Sequence, residues 1–325
     1  MKIPKQVAEY LDMREKSVSN YWLHHWVKNL VDNWTAIGAY GIPAHTLPFP
    51  GVEQVIVCVA SGRSLEKDID KLKEDREGKY IICGPSNLSA LLANEIVPDL
   101  CLVIDSSEET VNYIRRVNVS DLKGINFLTH PAIHPYFIEY MVRSNLDMYV
   151  LKLLIPEANK EFSDNWYNQL VHTFFEPLKV AMAMSSSTGN AQVLTAALFR
   201  TLTHNEVDWP VVLLGYDFSS MKDEITHVTK YAYENGKYVS YRDIVARRSE
   251  FDLGSLVSFM HLVTDNNIET YDGSTYQHPF STFVPRIDLS NFKEDRHVEY
   301  DFDDLRERFR LSLENDLTIN KGESQ

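Results

Sequence analysis

Between residues 54 and 214 the chain alternates short, continuous apolar runs with stretches of helical periodicity, and few architectures accept that alternation. The runs are Gln54 to Ala60, Lys79 to Cys83, Leu100 to Ile104, Ile125 to Thr129, Met148 to Leu154 and Val211 to Leu214. They are rich in β-branched residues and do not alternate with polar ones, so they predict strands buried on both faces. Between them, Ser64 to Glu74, Ser86 to Asn94, Glu108 to Arg116, Pro135 to Arg143 and Thr188 to Thr203 predict helices. Strand and helix in repeated succession are the mark of crossovers above and below a parallel sheet. The expected fold class is therefore α/β, with a doubly wound, mostly parallel, Rossmann-like sheet.

The flanks read differently. Tyr21, Trp22, Trp26, Leu30 and Trp34 recur near helical spacing within Lys5 to Trp34, which predicts one or two amphipathic helices acting as an N-terminal brace or lid. Gly38 to Gly51, carrying Pro43, Pro48 and Pro50, predicts a loop that ends where the first strand begins. After Gly215, helical readings at Met221 to Glu234 and Tyr241 to Val263 predict a helical cover. A charged helix is expected from Tyr300, followed by a polar end without an apolar face, which predicts disorder.

Charge and cysteine usage narrow the function classes. With 46 acidic against 32 basic side chains and a formal charge of −14, the chain is not built to grip nucleic acid along its phosphates, although a local basic pocket is compatible with it. Cys58, Cys83 and Cys101 each lie inside a strand-like run and none forms a C-x-x-C pair, so they predict buried thiols in a reducing compartment. No apolar stretch approaches the roughly 20 residues of a membrane span, and the first residues lead into a charged helix rather than a signal core. A cytoplasmic location is expected.

The chemistry-bearing residues fall at the ends of the predicted strands. In V-I-V-C-V-A-S-G-R-S-L-E-K, residues 55 to 67, a buried strand runs through a small-residue turn into a helix. Gly62 suits the tight bend, Ser61 and Ser64 offer hydroxyls, Arg63 offers a charged fork, and amides at a helix start favour an anion. A capped turn that binds nothing is the alternative. In P-D-L-C-L-V-I-D-S-S, residues 98 to 107, Asp99 and Asp105 bracket a strand. Asp105 lies at the same carboxyl edge as Gly62, as a general base, a hydroxyl partner or a metal ligand, or as no more than a cap for the helix that follows. The run S-S-S-T-G-N-A-Q, residues 185 to 192, opens a long helix with Ser187, Thr188, Gly189 and Asn190 as neutral donors. A further strand, V-V-L-L-G-Y-D, ends in Gly215 and Asp217 on the same rim. His130 and His134 stand four apart, but Pro131 and Pro135 break the helical geometry a ligand pair needs, and no metal site is expected from them.

In order and approximate spacing, V-A-S-G-R-S-L at 59 to 65, P-D-L-C-L-V-I-D at 98 to 105, S-S-T-G-N at 186 to 190 and L-L-G-Y-D at 213 to 217 resemble a known family. It comprises the motor accessory factor flagellin glycosyltransferases and the 6-hydroxymethylpterin diphosphokinase-like proteins, with a sheet related to bacterial sialyltransferases. The likeness spans about residues 53 to 292; Ala60 and Arg63 depart from it, where a glycine and a proline are common. I-E-T-Y-D-G-S-T-Y at 268 to 276 resembles the family's late loop over the ligand, which adds Asp272, Gly273 and Ser274. The resemblance implies donor phosphate at Ser61, Gly62, Arg63 and Ser64, with Asp105 at the reacting centre. It implies Ser187, Thr188, Gly189, Asn190 and Asp217 along the same crevice. The donor is then a CMP-linked nonulosonic acid and the acceptor a protein or glycan hydroxyl, or else the donor is ATP with Mg²⁺; a non-catalytic nucleotide- or glycan-binding protein is the third reading. Three units follow: an N-terminal helical segment and Pro-rich loop over 1–50, a nucleotide-binding catalytic domain over 51–292, and a charged helix with a disordered tail over 293–325.

Overall fold

The structure, a computed structural model, describes residues 5–62, 64–74, 76–155, 166–183, 188–204, 206–217, 219–221, 249–251, 259–260, 262–263, 266–274, 284–291, 307 and 311, with the backbone alone at 5–22, 109, 188, 219–221, 249–251 and 291. The strands in chain order are β1 Ile42–Pro43, β2 Val55–Val59, β3 Lys79–Cys83, β4 Leu100–Leu102, β5 Asn126–Thr129, β6 Met148–Val150, β7 Lys152–Leu154, β8 Ala181–Ala183, β9 Val211–Leu214, β10 Ser219–Met221, β11 Ser249–Phe251 and β12 Thr270–Asp272. The helices are α1 Lys5–Tyr40, α2 Leu65–Glu74, α3 Pro85–Ala93, α4 Glu108–Arg115, α5 Val119–Leu122, α6 Pro135–Ser144, α7 Trp166–Phe174 and α8 Thr188–Leu202.

Eight strands form one sheet in the order β1-β6-β5-β4-β3-β2-β9-β12, and every neighbouring pair in it runs parallel. The cause is visible in β2 and β3, whose residues are all buried. Val55, Val57 and Val59 point into a layer with Ile69, Leu88, Val111, Phe137 and Tyr167, while Ile56 and Cys58 point into a second layer with Ala191, Phe199 and Trp209. A strand apolar on both sides must be covered on both, so α1 to α4, α6 and α7 lie on one face and α8 on the other. The sheet is the doubly wound α/β arrangement expected. Among the described residues no helix is long and apolar enough to cross a membrane.

Of the one or two helices expected at the N-terminus there is one, and it belongs to the same core. Trp26, Leu30 and Ile37 are buried against the sheet layer, each contributing about 2 kcal/mol. The Asn33 amide donates to the carbonyls of Pro131 (2.8 Å) and Ile133 (2.7 Å), and that of Asn29 to Ala132 (3.0 Å). At about 1 kcal/mol each, these bonds set the helix's register while burial holds it.

Several expectations are corrected. The helix passes Gly38 and ends at Tyr40, because packing of the buried Ile37 outweighs the roughly 1 kcal/mol a helical glycine costs. The loop expected over Gly38 to Gly51 contains β1, a two-residue edge strand beside β6, where Pro43 needs no amide hydrogen. Met148 to Leu154 is two strands. The Leu151 amide makes the last bond to β5, at Thr129, and the Lys152 amide then turns to Val180, so β7 pairs with β8 in a separate parallel ribbon. Thr270–Asp272, expected as loop, is the edge strand β12 beside β9. In the predicted helical cover, Met221 and Ser249–Phe251 instead form the antiparallel β10–β11 ribbon, Phe259, Met260 and Val263 pack as helical residues, and the rest lies outside the described residues. So do nearly all of the charged helix and tail expected from Tyr300.

Candidate functional site

The sheet has its topological switch between β2 and β9. From β2 the chain runs outward through β3, β4, β5 and β6 with helices on one face, then returns through α8 on the other face to β9 on β2's opposite side. Loops leaving two such strands diverge to opposite faces and open a crevice at their carboxyl ends. The residues there are Ala60 to Ser64 after β2 and Gly215 to Asp217 after β9, and α8 presents its N-terminus from the second layer.

Two glycines let these exits touch. A Cβ on Gly62 would lie 2.3 Å from the Gly215 carbonyl oxygen and 2.7 Å from Asp217 Cγ. Gly215 has φ +72°, and a Cβ there would lie 2.4 Å from the Ala60 oxygen. The contact is sealed by main-chain bonds from Ala60 to Leu214 (2.8 Å) and from Gly62 to Gly215 (2.9 Å). Asp217 then reaches across: Oδ2 accepts from the Ser64 amide at 3.0 Å, and Oδ1 accepts from the Ser64 hydroxyl. A carboxylate therefore already sits at the start of α2, satisfying an amide that a helix leaves open and meeting the positive end of its dipole. The Leu65 amide donates to Gly62 (3.2 Å). Of this turn, Ser61 keeps its polar groups outside the internal bonding seen among the described residues, and it is half-buried. Arg63 lies outside the described residues.

On the second layer Tyr216 ties the start of α8 to the exit of β9. Its hydroxyl donates to the Gly189 carbonyl (2.8 Å), with Gln192 Oε1 at 3.1 Å. Burial, together with Cys58 beneath it, raises the phenol pKa well above its ordinary value, so it remains a donor. Burial likewise pushes the Cys58 thiol up. The Val59 carbonyl, at the end of β2, accepts from the Gln192 amide (3.1 Å) and from the Asn87 amide. Asn87 Oδ1 in turn accepts from the Gly84 amide (3.0 Å). Asn87 and Gln192 are positioning residues that sequence reasoning missed. Their signal was the G-P-S-N capping spacing and the last residue of the S-S-S-T-G-N-A-Q run. Asn190 is buried in the first turn of α8; Ser187 and the side chain of Thr188 lie outside the described residues.

The remaining expected residues lie on the same edge. Asp105 is exposed after β4, and its Oδ1 accepts from the Ser107 amide at 2.9 Å, which fixes the carboxylate just ahead of α4. Asp99, at the opposite edge, is structural: Oδ2 accepts from the Ile81 amide (2.7 Å) and from Arg76 (2.6 Å). After β12, Asp272, Gly273 and Ser274 form a buried turn. Asp272 Oδ1 accepts from the Ser274 amide (3.0 Å), the Gly273 amide donates to Leu213 (3.1 Å), and Arg286 donates to the Ser274 carbonyl (2.7 Å). These bonds tie Asp272 Oδ1, the Gly273 amide and the amide and carbonyl of Ser274 to their own chain.

His130 and His134 part company. His134 is the N-cap of α6, its Nδ1 accepting from the Tyr136 amide at 3.3 Å. His130 is fully buried at the exit of β5, with Nε2 2.9 Å from the Ile104 carbonyl. Burial outweighs that bond and lowers its pKa from 6.5 to about 4. Among the described residues no three His, Cys, Asp or Glu side chains gather as metal ligands.

The family described as "6-hydroxymethylpterin diphosphokinase MptE-like" matches residues 26–220, more than half of the 325 residues. Among solved structures, a MAf glycosyltransferase from Magnetospirillum magneticum AMB-1 aligns over 88% of this chain at 12% identity, with a TM-score of 0.50. The aligned chain spans 41% of that protein's length. At such identity the likeness concerns the fold. No curated protein matches the sequence.

Proposed function

The chain belongs to the 6-hydroxymethylpterin diphosphokinase MptE-like family, and from that premise we propose that it is a transferase acting on a nucleotide-activated substrate at the β2/β9 switch point. The favoured donor is a nucleotide sugar of the CMP-nonulosonic acid type, and the acceptor is a protein or glycan hydroxyl. The observation that carries the reading is the crevice itself, where the starts of α2 and α8 approach the same strand ends from opposite layers. Helix starts present amides and a positive dipole end, the chemistry that holds a phosphate.

Transfer needs the acceptor oxygen to lose a proton as it bonds to the anomeric carbon, while the bond to the donor phosphate breaks and the phosphate takes the electron pair. Asp105 suits the proton: it is an exposed carboxylate, oriented by the Ser107 amide. Ser61 suits the phosphate, with Arg63 of the same turn; the Gly62 amide is taken by the Gly215 carbonyl, and Ser64 offers its amide and hydroxyl to a phosphate that displaces Asp217. Gly189 and Asn190 suit the sugar or base on the second layer, with Ser187 and Thr188 beside them. Asp217 enters this scheme as the acid that holds the Ser64 donors in place.

A second reading is favoured by the family's description, which names a diphosphokinase. There the donor is ATP: an alkyl hydroxyl, losing its proton, bonds to the β-phosphorus while the bridge to the α-phosphate breaks and AMP leaves with the electron pair. Mg²⁺ commonly takes one or two protein carboxylates with substrate phosphates. Asp105 fits that part, whereas both oxygens of Asp217 are engaged by Ser64.

Thermal shift with CMP, CTP, ATP and GTP, each with and without Mg²⁺, tests the proposal. CMP or CTP should raise Tm without metal; a rise with ATP that requires Mg²⁺ would favour the kinase. If none raises Tm, the nucleotide reading is wrong. Ser61→Trp should abolish the shift while leaving the unliganded Tm in place. Asp105→Asn should keep the shift and remove turnover.

A further inference from the structure

Where β4 ends, the ladder to β5 is continued by side chains. The Cα register pairs Leu102 with Leu128, so Val103 and Ile104 stand opposite Thr129 and His130. The Thr129 hydroxyl donates to the Val103 carbonyl (2.8 Å), and His130 Nε2 bonds the Ile104 carbonyl (2.9 Å). A carbonyl only accepts, so Nε2 carries the proton and Nδ1 is left as a bare lone pair. Among the described residues that Nδ1 has no hydrogen-bond partner, and neither has the hydroxyl oxygen of Ser106, two residues beyond Ile104. Both side chains are more than nine-tenths buried.

An acceptor left unmatched in the interior costs about 1–3 kcal/mol, so native chains pair nearly all of them. Two such groups on the exits of adjacent strands, at the carboxyl edge of the sheet and beside Asp105, mark a place that the described residues leave incomplete. The missing chemistry is specific. Burial holds His130 neutral, with a pKa of about 4, so Nδ1 repels an anion and accepts a proton-bearing group. The serine hydroxyl can donate or accept.

We propose that His130 and Ser106 form a subsite, separate from the phosphate turn, that receives an uncharged hydroxyl or amine of the ligand, with His130 Nδ1 as the acceptor. It rests on the transferase reading only in assigning that hydroxyl to the same substrate. The phosphate end is held at the β2/β9 switch, and a hydroxyl-bearing end is held at the exits of β4 and β5, with Asp105 on the β4 exit beside Ser106 and β3 between the two places. His130 here is a binding residue; at so low a pKa it is a poor proton acceptor for catalysis.

The Nδ1 nitrogen can be watched directly. In a ¹⁵N-histidine-labelled chain, long-range ¹⁵N–¹H spectra distinguish a bare ring nitrogen from a hydrogen-bonded one. The probes are CMP, CMP-N-acetylneuraminic acid, ATP and free N-acetylneuraminic acid. The unliganded chain should show His130 Nδ1 bare, and at least one hydroxyl-rich probe should move it toward the bonded position. Ser106→Ala leaves the His130–Ile104 bond untouched and should weaken that probe about tenfold, with unliganded Tm held. An Nδ1 already bonded in the unliganded chain, as by a buried water, overturns the subsite. So does a set of probes that leaves it unmoved.

The two readings fail separately. Nucleotides that raise Tm without moving Nδ1 refute the subsite alone. Free sugar that moves Nδ1 while no nucleotide raises Tm refutes the nucleotide reading alone.

Discussion

Acid should act on this fold first through the His130 imidazole. Its folded pKa of about 4 lies below the ordinary 6.5 because the ring is fully buried, the larger cause, while its bond to the Ile104 carbonyl opposes the change in part. The unfolded chain therefore takes the proton first, and as pH falls the equilibrium is drawn toward it. The stabilisation is fully present above 6.5 and is lost as pH drops from 6.5 toward 4. That gap, at about 1.4 kcal/mol per pH unit, amounts to about 3 kcal/mol, a large part of the stability of an ordinary domain. The assay is urea denaturation of the parent chain and His130→Gln at about pH 7.5 and about pH 4.5, where the difference between the two chains isolates this group from the titrating carboxylates. The parent should lose about 2–3 kcal/mol more than the variant between those conditions. Parallel losses would mean that His130 is hydrated or already charged, and would remove the bare acceptor on which the second subsite stands.

Other substitutions probe the contact between the strand exits. Gly62→Ala places a methyl 2.3 Å from the Gly215 oxygen and should cost about 1–3 kcal/mol, read as a lower urea midpoint; an unchanged midpoint would show that β2 and β9 can part freely. Asp217→Asn keeps an acceptor for the Ser64 amide but removes the charge, so it should lower stability by about 1 kcal/mol or less while tightening nucleotide binding roughly fivefold by titration calorimetry. Tyr216→Phe deletes the bond to Gly189 (2.8 Å) and should cost about 1 kcal/mol. It should also speed amide hydrogen exchange in the first turn of α8, and unchanged exchange there would show that the tyrosine does not hold that turn.

How much of this was legible in the sequence follows from burial. β2, β3, β4, β5 and β9 were readable because strands covered on both faces need unbroken apolar runs, and V-I-V-C-V and V-V-L-L admit little else. The edge strands were not. β1 is two residues long and contains a proline, and β12 reads T-Y-D, so neither carries a hydrophobic signature; both owe their place to an existing neighbour. The division of Met148 to Leu154 turns on which carbonyl meets the Lys152 amide, a tertiary fact. The strand exits were located because glycine and aspartate at the end of an apolar run are conspicuous. What those residues do there was not legible, because Asp217 meets Ser64 across 153 positions of chain. Asn87 and Gln192 were hidden for the same reason: an amide that supports a carbonyl 28 or 133 positions back in the chain looks, in sequence, like any polar residue in a helix.

The position of Asp217 also bears on how a donor enters. A helix start that in many nucleotide sites is left open is here filled by a carboxylate with both oxygens bonded. A phosphate arriving with Asp217 in place would set two negative groups side by side in a chain already at −14, and it would need a cation, either Arg63 or Mg²⁺, to bind at all. A phosphate that displaces Asp217 inherits the Ser64 amide and hydroxyl and needs no metal. Where Mg²⁺ is that cation, the first route ties affinity to the metal, and neutral Asp217→Asn should loosen that dependence. The second makes binding indifferent to Mg²⁺ and frees Asp217 to swing into the crevice, where it would share the acceptor's proton with Asp105. The Mg²⁺ dependence of nucleotide binding in the parent chain and in Asp217→Asn thus separates the kinase from the glycosyltransferase through one carboxylate, before any product is identified.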